Sequence, residues 1–198
     1  MRDLQFPLQF VFKVTTLAND FRAIDANGRT VAYVRAKVLK WKEDVQIFND
    51  EQKSAELYRI KANKWLDWSA AYRFNRADGS QLGKIARKGW KSIWKAEYTL
   101  IDQNDKAQYK ITEDNGWVKV MDSLFGEIPI LGMFTGYFFN PSYSVLDQNE
   151  RAVVQIKKQA SFWGRKFSVE KLQDIDQDDQ ERIMLGLMMM ILLERRRG

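Results

Sequence analysis

Five segments of this chain, 23–34, 47–58, 74–85, 100–111 and 145–156, repeat one pattern: an apolar residue, a polar turn centred on Asp, Asn or Gly, then a strand closing on Val, Tyr or Ile. The only long apolar run, 183–193, follows the last copy. Apolar residues alternate on both arms of the repeats: Phe21 and Ala23 then Val31 and Tyr33; Tyr72 and Phe74 then Leu82; Tyr98 and Leu100 then Tyr109 and Ile111. Period two with β-branched and aromatic residues is the signature of a strand buried on one face. The connectors Asp25-Ala26-Asn27-Gly28 and Arg76-Ala77-Asp78-Gly79 supply the Asn and Gly that accept positive φ in tight hairpins. Gln103-Asn104-Asp105 and Gln148-Asn149-Glu150 are weaker versions of the same turn.

A further alternating strand at 8–14 precedes the repeats and another at 166–172 follows them, so five hairpins and two strands predict twelve antiparallel strands. Twelve strands closed on themselves leave a lumen too wide for their own side chains to fill. The run Met184-Leu185-Gly186-Leu187-Met188-Met189-Met190-Ile191-Leu192-Leu193 is apolar on every face, as a wholly buried helix is. Its length, about 21 Å for roughly 14 residues, matches a strand of about six residues, and it fits as the plug. The expected fold class is therefore mainly β: a closed twelve-stranded antiparallel barrel around a buried C-terminal hydrophobic helix at 178–195. One domain over 1–198 is expected, because the chain suffices for one sizeable core, with 116–141 inserted at one rim.

On these residues the chain resembles the tubby-like superfamily, which includes the LURP-one-related proteins and the phospholipid scramblases. The resemblance runs through units such as Tyr98-Thr-Leu-Ile-Asp-Gln-Asn-Asp-Lys-Ala-Gln-Tyr-Lys-Ile111 and Tyr143-Ser-Val-Leu-Asp-Gln-Asn-Glu-Arg-Ala-Val-Val-Gln-Ile156, and through the terminal apolar helix. It implies a twelve-stranded barrel around a central helix, in agreement with the strand count. Tubby-like relatives imply phosphoinositide binding, but their phosphate-contacting residues have no one-for-one match here.

The chain has neither cysteine nor histidine. Disulfides, thiolate metal sites, imidazole zinc sites and Ser-His-Asp triads are thereby excluded, and a reducing compartment is the natural home. Residues 1–7 show no secretory signal, and the apolar run at 183–193 is far below the roughly 20 residues of a membrane span. A cytoplasmic protein, peripheral to a membrane at most, is expected, with no transmembrane segment and no cofactor.

In an antiparallel succession alternate connections lie at opposite rims, and the set opposite the Asp/Asn turns is cationic. Segments 35–42, 61–68, 84–95 and 157–166 hold 15 Lys and Arg against one acid, Asp67, whereas the whole chain carries +6. All seven tryptophans fall in these segments or at Trp117, where the insertion begins. The insertion is itself apolar, through Leu124, Phe125, Ile128, Ile130, Leu131, Met133, Phe134, Tyr137, Phe138 and Phe139, and reads either as a cap over the barrel or as a membrane-dipping element. If the helix runs back through the lumen, Arg195, Arg196 and Arg197 emerge at the cationic rim.

Lysine, arginine and indole together suit an anionic membrane surface, each cation adding about 1 kcal/mol. The candidate lipid- or anion-binding residues are Lys40, Trp41, Lys42, Lys64, Trp65, Arg87, Lys88, Trp90, Lys91, Trp94, Lys95, Trp117, Arg165 and Lys166. Core tryptophans and solvated lysines at strand ends are the competing explanation. A non-enzymatic module for anionic phospholipid or a membrane-associated protein is the leading expectation. Single-stranded nucleic acid, bound by stacking and phosphate neutralisation, and a protein-interaction scaffold using 116–141 are the alternatives.

Two other motifs lose on inspection. Asp174-Ile-Asp-Gln-Asp-Asp-Gln-Glu181 resembles the start of a calcium loop, but has Asp179 where the loop needs Gly and Leu185 where it needs Glu. Helix capping and dipole complementarity explain these acids. Gly79-Ser-Gln-Leu-Gly-Lys84 is one residue short of a phosphate loop and lies on a hairpin.

Overall fold

The turn residues act first. Asp25, Asp102 and Asp147 each open a five-residue turn, and in each the carboxylate Oδ1 accepts the N–H groups two and four residues on: Asn27 and Arg29 at 3.0 Å, Asn104 and Lys106 at 2.8 and 2.9 Å, Asn149 and Arg151 at 2.8 and 2.9 Å. The fourth residue of each adopts positive φ: Gly28 at 78°, Asp105 at 61° and Glu150 at 59°. A type I turn followed by a left-handed residue is a common three-residue hairpin connection, and it is stapled here by a carboxylate.

In a computed structural model these turns join the strands of a barrel; it describes residues 1, 3–13, 20–39, 42–62, 71–87, 97–114, 141–159 and 166–195, with the backbone alone at 37–39 and 42–43. The strands are β1 (Leu8–Phe12), β2 (Phe21–Ile24), β3 (Thr30–Leu39), β4 (Lys42–Phe48), β5 (Glu56–Ala62), β6 (Ala71–Arg76), β7 (Gln81–Arg87), β8 (Glu97–Ile101), β9 (Ala107–Glu113), β10 (Ser142–Leu146), β11 (Ala152–Gln159) and β12 (Lys166–Lys171), followed by α1 (Gln177–Arg195). Each strand pairs antiparallel with its sequence neighbours, and β12 pairs with β1, Leu8 opposite Val169, to close the sheet. The expected twelve-stranded closed barrel is the observed one.

Every hairpin of the repeat carries a bulge beside its turn. The register shifts between Ala23 and Ile24, Ile47 and Phe48, Phe74 and Asn75, Leu100 and Ile101, and Val145 and Leu146. The extra residues opposite are Val31, Leu57, Leu82, Gln108 and Val153. A bulge bends its strand and strengthens the local twist, so five at one rim help the sheet to curl shut. The bulge also alters the expected alternation. Ala32 and Val34 line the core, whereas Tyr33 lies outside the core cluster, its hydroxyl donating to Asp20 at 2.8 Å and Lys13 over its ring at 5.1 Å. Burial, and then the Asp20 hydrogen bond, push the Tyr33 hydroxyl up to about 12.

Helix α1 fills the lumen, and its apolar side chains over 183–192 are at most 3 % exposed. Each such Leu, Ile or Met is worth about 1.5–3 kcal/mol on burial. Asp176 caps the helix, its carboxylate accepting the Asp179 N–H at 2.9 Å. The remaining acids of its first turns are engaged by the wall. Asp178 pairs with Arg76 at 2.6 Å, Asp179 accepts the Tyr109 hydroxyl at 2.6 Å and pairs with Arg182, and Glu181 faces Arg76 at 3.2 Å. Capping and charge complementarity hold these acids, as the sequence suggests. Met1 and residues 3–7, in the stretch read in the sequence only for the absence of a leader, lie across this same rim. Ala26 N–H donates to Gln5 at 2.9 Å, the Met1 amino group stands 3.3 Å from Glu181, and Met1 and Leu4 join the core.

Candidate functional site

Connectivity sorts the barrel ends. The five bulged turns and the start of α1 share one rim; the connections β1–β2, β3–β4, β5–β6, β7–β8, β9–β10 and β11–β12 begin and end at the other, which we call the mouth. The last turn of α1 reaches the mouth. Tyr98 on β8 donates its hydroxyl to Glu194, and the Arg195 guanidinium lies 4.3 Å from the centre of the Phe12 ring on β1.

Strand parity decides which basic residues face inward there. Residues paired across an antiparallel sheet point to the same face. Ile85 pairs with Leu100 and Arg87 with Tyr98, so Arg87 extends the inward row of β7. Its Nε is buried with no hydrogen-bond acceptor among the described residues. On β11, Val154 and Ile156 line the core and Lys158 continues that row, opposite Phe167. Lys166, opposite Gln159, is exposed on the outer side.

Between the end of α1 and strands β10–β12 lies a cavity of about 380 Å³, lined by Pro141, Tyr143, Lys158, Phe167, Met190, Ile191, Glu194 and Arg195. Its lining combines the side chains of Tyr143, Phe167, Met190 and Ile191 with two cations, Lys158 and Arg195, and one carboxylate, Glu194. Burial raises the Tyr98 hydroxyl well above the ordinary tyrosine range, helped by the hydrogen bond to Glu194, while the Arg87 charge opposes the shift. Tyr143 is raised by burial and by the charges of Glu113 and Glu194. Both phenols therefore remain protonated donors near neutral pH.

Of the candidate residues named from the sequence, Arg87 and Lys166 are placed at the mouth and the backbone of Lys42 opens β4 there, opposite Leu39. Lys40, Trp41, Lys64, Trp65, Lys88, Trp90, Lys91, Trp94, Lys95, Trp117 and Arg165 lie outside the described residues, as do Trp68, Trp163, Arg196, Arg197 and residues 116–140 of the insertion. Lys84, counted among the basic segments, instead pairs with Asp105 in the β8–β9 turn at 2.7 Å and belongs to the opposite rim. Lys158 was counted but not singled out. Its place two residues beyond Ile156, in one inward row, was the available signal.

The family model for LURP-one-related proteins matches residues 30–177, from the first residue of β3 to the first residue of α1. The chain belongs to the LURP-one-related family. This LURP-one-related protein is thereby a member of the tubby-like superfamily, and its barrel and central helix are what that membership implies. No curated protein and no solved structure matches it. Among the described residues of this LURP-one-related protein, no helix is long and apolar enough to cross a membrane.

Proposed function

We propose that this LURP-one-related protein is a non-enzymatic binding module that docks through the barrel mouth on anionic phospholipid headgroups, or on a partner held at such a membrane. One observation carries the reading: the segments rich in lysine, arginine and tryptophan are all spliced into strands that end at the same rim, where α1 also delivers Arg195. The opposite rim collects Asp174, Asp176, Asp178, Asp179 and Glu181. A molecule polarised in this way approaches an anionic surface mouth first, and the attraction weakens as salt shortens the Debye length.

Membership in the family supports a binding role, and the absence of cysteine and histidine removes the side chains that most often carry out chemistry. Scrambling of lipids is disfavoured because α1, consumed as core, offers no path across a bilayer. The test is co-sedimentation with phosphatidylserine vesicles at low salt against phosphatidylcholine vesicles. Binding to the acidic vesicles alone, lost in high salt, is expected. No co-sedimentation at low salt ends the reading, and a steep salt dependence with single-stranded oligonucleotides but none with vesicles would put nucleic acid in its place.

A further inference from the structure

We draw no further inference here: the strongest candidate, the row of cations on the outer wall of the barrel where Lys61 of β5 stands opposite Arg73 of β6 and Arg73 opposite Lys84 of β7, restates the phosphoinositide binding that tubby-like relatives imply.

Discussion

Gly186 of α1 is pressed against Leu100 of β8: a Cβ built at 186 would stand 2.4 Å from the Leu100 Cδ2 atom. The central helix thus meets its wall at backbone distance, and glycine is required there for space rather than for conformation. Gly186→Ala gains helix propensity of about 1 kcal/mol but forces Leu100 out of its rotamer, an overpacking cost of about 1–3 kcal/mol. A net loss of stability is expected in urea unfolding. Leu100→Ala alone should cost about 2–5 kcal/mol, and the double variant should be less destabilised than the sum of the two, because the clash disappears with the leucine. Strict additivity would show that the two residues do not compete for this space.

Arg76 departs from the repeat in an informative way. It stands where the equivalent turns have Asp25, Asp102 and Asp147, and instead of stapling its own turn it reaches inward to Glu181 at 3.2 Å and Asp178 at 2.6 Å. Glu181 is 6 % exposed, so removal of the guanidinium strands a buried carboxylate. Arg76→Gln should lower stability by about 1–3 kcal/mol. Arg76→Asp, which would match the other turns, should be worse, since it adds a like charge beside two acids. Thermal unfolding decides between the effects: if Arg76→Asp is the more stable variant, turn chemistry outweighs the link to the helix.

Acid should loosen this barrel through its turn carboxylates and Glu181. The amide of Lys106 is the first cause holding Asp102 below the usual carboxylate range, and the amide of Arg151 does the same for Asp147, against the pull of burial in both. Burial alone would raise Glu181, but the Met1 amino group, Tyr58 and Arg76 together keep it low. For groups depressed on folding, the stabilisation is complete above the unfolded value of about 4 and disappears as pH falls through the folded value. Urea midpoints should therefore drop steeply below about pH 4. Asp147→Asn keeps an acceptor oxygen for the turn but has no charge to titrate, so its midpoint should fall less steeply over pH 3–5. Identical slopes would remove Asp147 from the cause.

Much of the fold is legible in the sequence because the turn signal is local. Asp25-Ala26-Asn27-Gly28 contains both the staple and the left-handed residue of its hairpin, and the alternating rows on either side need only a sheet to bury them. The bulges were not visible. Val31 and Tyr33 look like one inward row, yet the extra residue beside the turn shifts the row to Ala32 and Val34, and only the pairing with Ala23 and Phe21 reveals it. The same limit governs the site. Lys157, Lys158, Arg165 and Lys166 are four cations by composition, but register alone tells that Lys158 faces the lumen and Lys166 the outer side. Glu194 carries no local signal, because its role depends on Tyr98, almost a hundred residues away in sequence.

Arg87 allows function to be separated from stability. It occupies the inward row at the mouth, and its buried Nε has no acceptor among the described residues, so the fold gains little from its charge while bearing part of its desolvation. Arg87→Met retains much of the aliphatic stem and removes the charge, and its unfolding midpoint should equal or exceed that of the parent. If the mouth docks on anionic lipid, the same variant should bind phosphatidylserine vesicles about fivefold more weakly at low salt, with the difference shrinking as salt screens the surface. A stable variant with weakened binding identifies Arg87 as a contact. Lower stability with unchanged binding would instead make Arg87 part of the packing, and would move the docking surface to the outward-facing cations of the mouth such as Lys166.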